Sequence, residues 1–86
     1  MNEEVLLNQL EELAEKIGIL VRDENINIEE SSSNGGLCRV EGEYILILNS
    51  KATIKEKIQV IIKALQQFDL KDIYIKPVIR ALLEGY

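Results

Sequence analysis

Residues 37–48 constrain the fold more than any other stretch of this 86-residue chain. Leu37-Cys38-Arg39-Val40 and Tyr44-Ile45-Leu46-Ile47-Leu48 flank Glu41-Gly42. A glycine free to take positive φ in a two-residue turn makes the flanks a β-hairpin. With Val40 opposite Glu43, Arg39 faces Tyr44, Cys38 faces Ile45 and Leu37 faces Leu46. Cys38, Val40, Ile45 and Ile47 then share one face of the sheet, and Leu37, Tyr44, Leu46 and Leu48 share the other with Arg39. A strand apolar on both faces is normally central and covered on both sides. One face receives the helices; the other is left to a partner or to the C-terminal segment.

Helical periodicity brackets this hairpin. Leu6, Leu10, Leu13 and Ile17 recur at helical spacing over residues 3–17, widened by Leu7 and Ala14, with Glu3 and Glu4 in the first turn. Gly18 supplies the left-handed residue that commonly ends a helix, and Ile19-Leu20-Val21 follows as a short strand. Ile26 and Ile28 alternate with polar residues as a candidate edge strand, and Glu29 to Gly36 reads as a loop. Thr53-Ile54-Lys55-Glu56 fits a capping box. It opens a helix whose core stripe is Ile54, Ile58, Ile61, Leu65 and Phe68. Asp72 to Lys76 is extended, and Pro77 is pre-organised to begin a last helix through Glu84. The expected fold is α+β in a single domain, residues 1–86. It is a small three-stranded, mostly antiparallel sheet with a leading helix, a long central helix and a short C-terminal helix.

Composition narrows the chemistry. The chain has no histidine and one cysteine, Cys38, so it lacks the side chain that titrates near neutrality and the commonest metal ligand. A zinc site draws three or four ligands from thiolates, imidazoles and carboxylates, which argues against a metalloenzyme or hydrolase. No cofactor is expected. One cysteine forbids an internal disulfide. The start Met1-Asn2-Glu3-Glu4 is acidic where a signal peptide would be basic, and no apolar run is long enough to span a membrane. The expectation is a cytoplasmic protein without membrane contact.

Charge is unevenly spread. Residues 1–43 carry −8 and residues 44–86 carry +3, making the net −5. A net negative chain repels phosphate backbones, which disfavours nucleic-acid binding. The 47% apolar content is hard to hide in so small a domain. The expected partner is therefore a second copy in a homodimer, or another protein.

Helix, strand, hairpin, Asn-Ser at the strand end and a long capped helix form a succession carried by LAEKIGILVRDENI, YILILNSKAT and IKEKIQVIIKALQQFD. It resembles the N-terminal unit of ImmA/IrrE-type minimal zinc peptidases, small bacterial and phage proteins that cleave regulators, over about two thirds of the chain. In that family the helix carries HExxH. Laid over it without a gap, the metal-binding positions fall on Lys63 and Gln67, and the catalytic glutamate on Ala64. The resemblance thus implies a catalytically dead relative, with no catalytic, cofactor-binding or metal residue carried over. GGLCRVEGEYILIL and FDLKDIYIKPVIRALLE also look like a small uncharacterised bacterial family.

Several residues stand out as candidates. Cys38, on a face with Val40 and Ile45, reads first as a small buried apolar residue. The alternatives are a reactive thiol beside Arg39, or an intermolecular metal or disulfide. Gly35-Gly36 could form an anion-binding nest, but no P-loop lysine stands at the required spacing. Ser31-Ser32-Ser33 has no histidine to activate it, and Asp23-Glu24 and Glu29-Glu30 read as solvated charge. Arg39 over Tyr44 suits a cation–π contact. Tyr74 and Arg80, with Leu46 and Leu48 on the second sheet face, are the expected interface residues; Tyr86 reads as a fraying terminus. The preferred function is a non-enzymatic interaction or self-association module. The alternative is a thiol-dependent switch or small enzyme centred on Cys38.

Overall fold

Side chains start the first helix and the sheet begins directly behind it. Val5 N–H donates to Asn2 Oδ1 at 2.8 Å, which satisfies one of the four donors a helix start leaves open. The computed structural model describes residues 2–25 and 35–85. Its elements are α1 (Glu3–Lys16), β1 (Ile19–Glu24), β2 (Gly35–Val40), β3 (Glu43–Asn49), α2 (Ile54–Leu65) and α3 (Pro77–Gly85). The class is α+β, as the periodicities indicate. Gly18 takes φ +93° and turns the chain from α1 into β1. The suggested strand at Ile26–Ile28 and most of the loop from Glu29 lie outside the described residues; Gly35-Gly36 opens β2.

The hairpin register is the one the turn dictates. Glu41 and Gly42 have φ 53° and 85°, the double-positive geometry of a type I′ turn. Val40 pairs with Glu43, Arg39 with Tyr44, Cys38 with Ile45 and Leu37 with Leu46. Strand order is β1-β3-β2; β2 runs antiparallel to β3 and β1 parallel to it, with Ile19 beside Tyr44 and Val21 beside Leu46. The strand apolar on both sides is thus central. Gly35 sits at φ +135°, and a Cβ there would strike the Ile47 carbonyl oxygen, so the β2–β3 pairing requires glycine at this end.

Which face the helices cover is the main correction. Leu46 and Leu48 are fully buried, with Leu37 and Tyr44 partly buried against the same core. Cys38 and Val40 are exposed. The interface role expected of Leu46 and Leu48 is therefore excluded, and so is a core role for Cys38. Parallel pairing supplies the reason. It adds two apolar residues, Ile19 and Val21, and Asp23 to the Leu46–Leu48 face, whereas the opposite face gains one apolar residue, Leu20, together with charged Arg22 and Glu24. Helices settle on the face with more apolar area to remove from water.

Over that face α1 packs on β1 and on α2, and α2 packs on β2 and β3. The α2 capping box is complete, Glu56 N–H donating to Thr53 Oγ1 at 3.2 Å and Thr53 N–H to Glu56 Oε1 at 2.8 Å. Ile58, Ile61 and Leu65 are buried, but Ile54 is 39% exposed and the helix ends at Leu65, short of Phe68. Phe68 instead meets Tyr44 edge-on at 4.9 Å, and the Arg39 guanidinium lies 5.2 Å from the same Tyr44 ring. The last helix, α3, inserts Ile79 and Leu83 into the core, and Gln66 Nε2 donates to Leu83 O at 2.9 Å.

Candidate interaction face

Side chains alternate across a strand, so the register fixes what the face that no described element covers carries. Leu20 and Arg22 come from β1, Ile45 and Ile47 from β3, and Cys38 and Val40 from β2. Leu20 is 50% and Val40 51% exposed, while Ile45 and Ile47 are half-buried. The pairs Leu20–Ile45 and Cys38–Ile45 are adjacent in register, so the apolar side chains run across all three strands. Arg22 and Glu24 border them with an ion pair of 3.0 Å. Cys38 Sγ lies 3.5 Å from the Ile45 carbonyl, a weak S–H donation. Arg39 points to the other face, so it does not sit beside the Cys38 thiol.

The other sequence candidates are scattered. Tyr74 is 74% exposed, on the segment between α2 and α3 and away from this face. Arg80 is partly buried, its guanidinium donating to Leu70 O at 3.4 Å and Ile73 O at 2.9 Å. That arginine ties the 70–73 turn to α3. Asp23 pairs with Lys57 at 3.2 Å and Glu24 with Arg22, so the two acids hold surface ion pairs. Glu29, Glu30, Ser31, Ser32, Ser33 and Tyr86 lie outside the described residues. Lys63, Ala64 and Gln67 line a cleft of about 310 Å³ with Gly35, Gly36 and Leu37. Among the described residues no group of three or more acids or cysteines could hold a metal ion, and no helix is long and apolar enough to cross a membrane.

Leu20 was not among the residues singled out by sequence. Its signal is the alternation in Ile19-Leu20-Val21-Arg22-Asp23-Glu24, which puts Leu20 on the face with Arg22 and Glu24 and marks that face as the wetter one. Searches found no matching family model, no matching curated protein and no matching solved structure.

Proposed function

We propose that this chain is a non-enzymatic contact module that associates with a second copy through the uncovered sheet face. The supporting observation is the row of apolar side chains across three strands, Leu20, Ile45, Ile47, Cys38 and Val40, on a face no described element covers. Exposed contiguous apolar surface marks interaction sites. A two-fold dimer would set the same patch against itself, with the Arg22–Glu24 pairs at its border. In this reading the likeness to minimal zinc peptidases is that of a catalytically silent relative, with Lys63, Ala64 and Gln67 at the compared positions.

Sedimentation across a concentration series tests the reading on wild type, Leu20→Lys and Val40→Lys. Both side chains are half-exposed, so the monomer should keep its fold. Wild type is expected to reach twice the monomer mass and both variants to remain monomeric. A monomeric wild type at all concentrations, or a dimer indifferent to both substitutions, overturns it.

The exposure of Cys38 favours a second reading, a thiol-dependent switch. Thiol labelling separates the two. In the contact module Cys38 labels fast when dilute and slowly when associated. A switch would instead couple its oxidation to a change of assembly.

A further inference from the structure

The order β1-β3-β2 leaves the outer side of β2 as an edge of the sheet among the described residues. We propose that this edge takes up an extended peptide as a further antiparallel strand, with an aliphatic side chain of that peptide seated against α2. The proposal does not depend on self-association through the sheet face.

The hairpin turn fixes which backbone groups the edge offers. Val40 and Glu43 close a two-residue type I′ loop, so they form a hydrogen-bonded pair, and such pairs alternate along an antiparallel ladder. Cys38 and Gly36 therefore bond inward to β3, at Ile45 and Ile47. Leu37 and Arg39 turn their N–H and C=O groups outward. Neither has a backbone partner on that side, and Gly36, Cys38, Arg39 and Val40 are exposed. Two outward donors and two outward acceptors, set at the two-residue repeat of about 7 Å along a strand, match the repeat of another extended backbone.

The devices that usually blunt a sheet edge are prolines, bulges and charges standing across it. Pairing with β3 runs unbroken from Gly35 to Val40 without a proline. The one charged residue of β2, Arg39, leans over the Tyr44 ring at 5.2 Å instead of standing across the edge.

A cleft lies beside these groups. Gly35, Gly36 and Leu37 on one side and Val60, Lys63 and Ala64 of α2 on the other border about 310 Å³. Directly opposed residues of an antiparallel pair project on the same face of the sheet, and Leu37 faces the helices. The peptide residue that exchanges both bonds with Leu37 therefore points its side chain into this cleft. There Leu37, Val60 and the buried Ala64 present apolar surface, and the two glycines put no side chain in the way. A β-branched aliphatic residue suits the position twice over, because it covers that surface and favours the extended backbone the edge requires. In strand addition the main-chain bonds give affinity and the side-chain pocket gives selectivity.

The test is an amide NMR titration of the full chain with the blocked peptide acetyl-Thr-Lys-Ile-Lys-Thr-amide. Two analogues accompany it. One is N-methylated at isoleucine, which removes the donor to the Leu37 carbonyl; the other carries serine in place of isoleucine. The parent peptide is expected to give saturable shifts at Leu37, Arg39 and Ala64 and to slow exchange of the Leu37 and Arg39 amides, with each analogue about tenfold weaker. No saturable shift at several millimolar parent peptide overturns the proposal, as does equal affinity for the N-methylated analogue. Shifts confined to Leu20, Ile45 and Ile47 overturn it by placing the peptide on the sheet face. Protection of the Leu37 amide that grows with protein concentration alone overturns it by assigning the edge to a second copy.

Discussion

The two faces of β3 differ by one residue of register and have opposite fates. Leu46 and Leu48 are sealed under α1 and α2, while Ile45 and Ile47, equally aliphatic and one position away, look outward. Apolar character alone did not decide between them. The neighbours contributed by β1 did, because Ile19 and Val21 extend one face and Arg22 and Glu24 interrupt the other. In a three-stranded sheet a single edge strand can thus choose which face becomes the core.

The most severe way to break the contrast is truncation. Leu46→Ala is expected to cost about 2–5 kcal/mol, the range for large-to-small changes in a packed core. Ile47→Ala should cost about 1 kcal/mol or less while weakening association. Denaturant titration with unchanged m-values checks the first difference, and sedimentation checks the second. Equal stability losses would mean that both faces are covered.

A second contrast is built into the adjacent glycines. A Cβ at Gly35 would run into the Ile47 carbonyl and the residue holds φ +135°, whereas a Cβ at Gly36 meets nothing within 4 Å. Gly35→Ala should therefore destabilise by about 1–3 kcal/mol. Gly36→Ala should be neutral or slightly stabilising. Thermal melts of the two variants read the difference.

The hairpin was legible because local chemistry sets it. Glu41-Gly42 fixes the turn, the turn fixes the register, and the capping box at Thr53 places the start of α2. The choice of face was not legible from the hairpin, since it depends on a parallel pairing with β1 from far back in the chain. The same holds for Tyr74. Nothing local tells whether an aromatic between two helices turns inward, and here Ile75 takes the core position instead.

A smaller effect lies in the turn that joins the two strands. Glu41 occupies positive φ, a conformation L-residues other than Asn and Asp adopt at a cost. Glu41→Asn creates the Asn-Gly pair favoured in type I′ turns. It is expected to raise stability by about 0.5–1 kcal/mol, seen as a higher urea midpoint with the same slope. No gain would mean that the turn geometry relaxes without the substitution.

The smallest expected effect sits at the margin of the covered face. Glu11 of α1 has its carboxyl pushed above the usual glutamate range, chiefly by burial, then by the nearby Asp23 and Glu15 charges, with Lys57 opposing. Because its folded value exceeds the unfolded one, its contribution is fully present below the ordinary glutamate pKa. It is lost as pH rises through the raised value, so at neutral pH the ionised side chain works against the fold. The group is largely solvated, and screening keeps the effect to a few tenths of a kcal/mol. Glu11→Gln should therefore melt slightly higher than wild type at pH 7 and lose that advantage near pH 3–4. An advantage that persists in acid would assign the gain to packing or helix propensity instead of charge. The edge of the covered face would then be set by shape alone.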